Sequence, residues 1–241
     1  MIGRRIFGRG VMGALALSGA LLLGGCEPGD FGSSRMYFEP IRYRLTVNVE
    51  TQYGIKAGSS VIETIWDRGL SGATVHGEAV AVDLPNGQVL FVLLRTANDV
   101  DWASRVPGVQ IPKDQTPPTN ADEREAEVGR QVAWLRANRE VHYLWGGSVP
   151  KDQAQYLPYF VRFKDVKDPK SVELVDPDNL AKSFGAGVKL KSLTVQMTDE
   201  PVTMGIEKRL GWIIQMEKHD FNRDGPFDEK YPVILVGLKG R

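Results

Sequence analysis

Asp220, Asn222, Asp224 and Asp228 are the residues of this chain whose spacing comes closest to a chemical site. They fall in the run DFNRDGPFDE, residues 220–229. Oxygen side chains at the first, third and fifth positions turn toward one centre. Glycine at the sixth permits the sharp bend that brings the next carbonyl in. Hard oxygens in that arrangement suit calcium, the one cofactor the chain suggests. The competing reading is an acidic turn ahead of a strand. Asp, Asn, Gly and Pro are turn formers, and Arg223 puts a positive charge inside the loop.

The remaining reactive side chains are sparse. There is no G-x-S-x-G, H-E-x-x-H, phosphate-binding loop or dinucleotide fingerprint. The three histidines, His76, His142 and His219, lack the close spacing of a zinc site. His219 beside Asp220 is the one with a neighbouring acid. Ser59, Ser60 and Ser148 neighbour glycines, as turn residues do. Trp66, Trp102, Trp134, Trp145 and Trp212 suit either a hydrophobic core or a carbohydrate or peptide groove. No catalytic residue is assigned, and the balance leans away from an enzyme.

Resemblances at both ends of the chain sharpen these readings. The acidic run resembles an EF-hand loop through its ninth position, Asp228, but Tyr231 stands where the bidentate glutamate belongs. It also resembles the shorter loop of excalibur-type domains, with Asn222 and Asp228 replacing an aspartate and the cysteine. At the other end of the chain, Arg4, Arg5 and Arg9 precede an apolar run, Val11 to Leu23, and then Leu23-Gly24-Gly25-Cys26. This resembles a bacterial lipoprotein signal peptide with its lipobox. The apolar run to Gly25 would reach about 22 Å as a helix, short of the roughly 30 Å hydrocarbon core. The resemblance implies cleavage before Cys26 and lipidation of its thiol, with palmitate-type acyl chains. Several chains make anchoring stable where one is marginal. Arg4-Arg5-Ile6-Phe7-Gly8-Arg9 also resembles a twin-arginine export signal, which would imply folding before export. Glu27 follows the cysteine, where an aspartate retains lipoproteins at the inner membrane in enteric bacteria. The outer membrane is therefore favoured.

Cys26 is the only cysteine, so no intramolecular disulfide can form. After cleavage, 216 residues remain with 27 Lys and Arg against 30 Asp and Glu, a formal charge of −3. That excludes a nucleic-acid binder of the basic-patch kind. The implied organisation is residues 1–25 as signal, 26–38 as a lipidated tether, and 39–241 as one envelope domain facing periplasm or exterior.

The elements that must position these residues read as α+β: an antiparallel sheet meander with one main packed helix, in a single domain. Alternation predicts a strand over Ile41–Glu50. Further strands are expected at Val61–Trp66, Ala73–Leu84 and Gln88–Arg95, the last buried on both faces. Pro85-Asn86-Gly87 marks the turn between the last two. Thr96–Asn120, with four prolines, reads as a long surface connection. Asn120 with Glu123 matches a capping box, opening a helix to Arg139 whose apolar stripe is Val128, Val132 and Leu135. Beyond it come an apolar segment at Tyr143–Gly147 and strands at Tyr159–Phe163, Ser171–Val175 and Val188–Met197. Asp178–Phe184 and Met204–Leu210 read as short helical pieces. Trp212–Met216 is ambiguous, and Tyr231–Leu238 is expected as a final buried strand. The run Phe163–Trp212 resembles a stretch that recurs in uncharacterised bacterial proteins, which implies no activity.

The function expected is a membrane-anchored envelope lipoprotein that binds or positions another envelope component, a protein or the cell wall. The alternatives are a periplasmic hydrolase whose site assembles only in three dimensions, and a calcium-stabilised structural module.

Overall fold

Strand β1, Ile41–Thr51, buries every second residue. Ile41, Tyr43, Leu45, Val47 and Val49 are each at most 2% exposed. Their alternation with Arg42, Arg44, Thr46 and Asn48 puts one face on the core and one toward water. β1 pairs antiparallel with β2, Gly54–Trp66, along its whole length, from Ile41↔Thr64 to Thr51↔Gly54. Thr51 Oγ1 closes the hairpin, accepting from Tyr53 N at 3.1 Å and donating to Gly54 O at 2.8 Å. The second strand thus starts earlier than its apolar run. Gly54 to Ala57 are exposed and carry no period to read.

The computed structural model describes residues 37–69, 72–112, 118–146, 157–217 and 233–240. All lie in one compact unit, Ser33–Arg241. The remaining strands are β3 (Ala73–His76), β4 (Val80–Asp83), β5 (Val89–Val92), β6 (Val141–Trp145), β7 (Phe160–Phe163), β8 (Val172–Leu174) and β9 (Lys189–Met197). The helices are α1 (Trp102–Arg105), α2 (Ala121–Ala137), α3 (Leu180–Phe184) and α4 (Ile213–Glu217). The fold is α+β with two antiparallel sheets. One has strand order β3-β2-β1-β9-β6 and the other β4-β5-β7-β8.

Ala73–Leu84, expected as one strand, divides between those sheets. Gly77 sits at φ +135° against Ile62, so the chain turns there and β3 and β4 part company. The break has a partner in Gly58 of β2, where a Cβ would lie 2.2 Å from Ala81 O. Only a bare backbone lets β4 pass that close to β2. The turn into β5 is the expected Asn-Gly one. Asn86 and Gly87 both adopt positive φ, 66° and 73°.

The sheets and α2 enclose the larger core, with Tyr43, Leu45, Val82, Leu90, Phe160, Leu135 and Leu193 among its members. The other face of the second sheet is also covered. Phe91, Leu93, Val161 and Phe163 pack with Ile206, Leu210, Trp212, Ile213, Met216, Leu235 and Leu238. β5 is therefore buried on both faces, as its unbroken apolar run implies. Each of its large side chains contributes roughly 1.5–3 kcal/mol by leaving water.

Two further segments differ from their sequence reading. Thr96–Asn120 is no plain surface connection. It contains α1 and a 3₁₀ turn at Val106–Gln110, and Trp102, Ala103 and Val106 enter the core. Tyr43 Oη donates to Ala103 O at 2.6 Å inside that core. Pieces of four and five residues are too short to show a helical period. The expected last strand over Tyr231–Leu238 is a 3₁₀ helix at Val233–Leu238, with Leu235 and Leu238 buried. A short apolar run has the same signature in either state.

Candidate functional site

A broad concavity runs along α2. Asn120 starts this helix as expected: its side chain accepts from Glu123 N at 2.9 Å. The reciprocal carboxylate lands one residue earlier than a standard box. Glu123 Oε2 accepts from Thr119 N and Oγ1, both at 2.8 Å, and these bonds hold its carboxyl below the usual range. Val132 and Leu135 face the core. That rotation leaves a second stripe, Ala126, Gly129, Ala133 and Ala137, looking outward. Small side chains there make a trough instead of a ridge.

The opposite wall comes from the start of the domain. Phe38 is 5% exposed, its N–H bonded to Trp66 O at 2.9 Å. Its ring lies beside Gly129, where a Cβ would stand 3.6 Å from Cε1. The Arg68 guanidinium stacks 4.8 Å over the same ring and reaches Glu125 Oε1 at 3.0 Å. At the far end Arg136 Nη1 bonds Glu39 Oε2 at 3.0 Å and Pro40 O at 3.3 Å. The groove so formed holds about 830 Å³, within the range of small-ligand sites, and is open to solvent. Its floor is apolar and its rim is two half-exposed ion pairs, with Asp122 beside them. Such pairs are each worth about 0–1 kcal/mol, so they can be exchanged for a partner's charges at small cost. A groove of this make-up can hold an extended chain or an apolar side chain by burial and align it by charge.

A second cleft, of about 500 Å³, lies on the other flank of the same helix, between Val128, Gln131, Trp66, Asp101, Ser104 and Arg105. Trp66 is fixed at its edge by a bond from Nε1 to Ser104 O at 3.2 Å. The other tryptophans serve the cores. Trp102 and Trp212 are buried, Trp134 and Trp145 pack against the larger core, and Trp212 Nε1 donates to Val166 O at 2.9 Å. The five do not share a groove.

His76 is exposed at the end of β3, paired in register with Glu63. His142 lies on β6 opposite Val195, and its buried Nε2 has no hydrogen-bond partner among the described residues. Neither lines the groove. Cys26, His219 and the candidate calcium ligands Asp220, Asn222, Asp224 and Asp228 lie outside the described residues. Among the described residues, no group of three or more His, Cys, Asp or Glu side chains is placed to hold a metal.

The groove residues escaped the sequence reading because they come from distant places. Phe38 and Gly129 are unremarkable alone. The signal that was available is the spacing of Ala126, Gly129, Ala133 and Ala137, which share one face of a helix. No protein-family model matches the chain, and no curated protein or solved structure is detectably similar to it.

Proposed function

We propose that this chain is a lipid-anchored envelope protein whose domain binds or positions another envelope component, using the groove along α2. The observation that carries the reading is the groove's position and make-up. Its wall starts at Phe38, where the sequence places the end of a tether from Cys26. A ligand held there would touch Phe38 and Glu39, the residues at which the expected tether meets the domain. The floor of alanine, glycine and phenylalanine favours an apolar contact, and the rim favours a partner with alternating charge. The formal charge of −3 after cleavage suits a protein or cell-wall partner over nucleic acid.

The test is co-purification from envelopes with two variants. Cys26→Ala should leave the domain soluble after export and signal cleavage. Ala133→Trp, which fills the groove, should keep membrane attachment and lose the bound component. If Cys26→Ala stays membrane-bound after cleavage, the lipid reading fails. If Ala133→Trp retains every partner of the unaltered chain, the groove is not the contact.

A further inference from the structure

Glu78 stands where the chain passes from one sheet to the other. Its residue is only 7% exposed. Its carboxylate accepts from Ile206 N at 2.8 Å. Its own backbone forms an isolated antiparallel bridge with Lys239. Flanking bonds extend the bridge. Ala79 N donates to Leu238 O and Gly240 N to Gly77 O, each at 2.9 Å, and Leu94 N donates to Gly237 O at 2.7 Å. One residue therefore joins three pieces: the β3–β4 break, the 3₁₀ turn Ile206–Lys208, and the C-terminal segment 237–240.

Among the described residues, the charges facing it do not balance. Glu207, on the same turn, has its Oε2 buried without a hydrogen-bond partner among the described residues and 3.9 Å from Lys239 Nζ. Lys239, on the C-terminal segment, has a side chain 19% exposed, and its charge also acts on Glu78. Arg209 lies within electrostatic reach of Glu78 but spends its guanidinium on Asp83, at 2.6 and 2.8 Å. Lys208 and His76 are exposed. Among the described residues, two carboxylates and one lysine meet at this junction, Glu78 being the most buried of the three. Burial pushes the Glu78 carboxyl above its ordinary value. The Ile206 N–H opposes this, the Glu207 charge adds to it, and the Gly205 backbone and Lys239 pull back.

We propose that Glu78 is an acid-tightened latch, holding the C-terminal segment and the Ile206–Lys208 turn onto the junction of the two sheets and loosening as pH rises. The sign follows from linkage. In the open state the carboxyl is hydrated and titrates at its ordinary value; docked, it holds its proton more tightly. The docked state's full advantage is present below the ordinary value. It is lost as pH rises through the raised one. Protonation spares the backbone bond, because the carboxyl C=O still accepts from Ile206 N.

Amide hydrogen exchange at Ala79, Leu94 and Gly240 in the full chain, corrected for intrinsic rates, reports the opening constant at each pH. Between about pH 4 and 8 it should rise, by no more than about tenfold per unit for one proton. Glu78→Gln, which keeps an acceptor oxygen, should flatten the curve. Glu207→Gln should move the rise to lower pH by removing the like charge. A flat curve for the unaltered chain overturns the latch, as does a Glu78→Gln curve as steep as the original. Carbon-13 titration of the Glu78 carboxyl needs no variant to fold; an ordinary value there also overturns it.

Discussion

Gly58→Ala tests the crossing of the two sheets more directly than any other single change. The added methyl would sit 2.2 Å from Ala81 O, 2.9 Å from Ala81 C and 3.1 Å from Val82 Cγ2. Two of these atoms are backbone, so no rotamer change relieves the contact. β4 must move away from β2 by about 1 Å, in an interior packed as densely as an organic crystal. Val82, fully buried, lies beside that contact and would lose packing as it opens. Overpacking of this kind costs typically about 1–3 kcal/mol, and the rigid neighbour argues for the upper half of that range. For a domain of this size, about 2–4 °C of melting temperature goes with each kcal/mol. A fall of roughly 4–12 °C is therefore expected in a thermal melt, with a matching shift in urea midpoint. Gly108→Ala is the control. It meets open space at an ordinary backbone conformation and should change the melt by no more than about 2 °C. If Gly58→Ala melts with Gly108→Ala, the close approach of β2 and β4 is wrong, and so is the division of Ala73–Leu84 between sheets.

Tyr43→Phe leaves the Ala103 carbonyl without its buried donor and should cost about 1–3 kcal/mol in urea unfolding. Limited proteolysis of the same variant should open first within 102–110, the segment that bond ties to β1; equal protection there would refute the tie. Asn120→Ala removes the α2 cap and should cost about 1 kcal/mol, while Asn120→Asp should not, because it keeps the acceptor. The acidic-turn reading of 220–228, favoured by Arg223 and Tyr231, expects no calorimetric heat with calcium and no change in melting temperature. Binding at ten times Kd would instead stabilise by about 1.4 kcal/mol. An effect of that size, abolished by Asp224→Asn, would establish a calcium loop.

The parts of the fold that were legible are those written in neighbouring residues. The period of two in Ile41–Thr51 is visible because one face of β1 meets the core along its length. Asn120 announces α2 because a cap acts over three residues. Asn86-Gly87 announces a hairpin because both positions need positive φ. The misread segments are those where local pattern is silent. Trp102, Ala103 and Val106 are buried by pieces shorter than two helical turns, and Leu235 and Leu238 by a 3₁₀ run that reads equally as a strand.

By itself the sequence determined the class of secondary structure, the α+β fold, the helix start and the absence of an intramolecular disulfide, since each rests on residue type and short-range spacing. Which sheet a strand joins, what lines the groove and what surrounds Glu78 were decided only by tertiary structure. Gly58 meets Ala81, Phe38 meets Gly129, and Glu78 holds Ile206 across 128 residues of chain. Contacts of that separation form only after the sheets have packed. A glutamate between a glycine and an alanine carries no mark of the three pieces it will join.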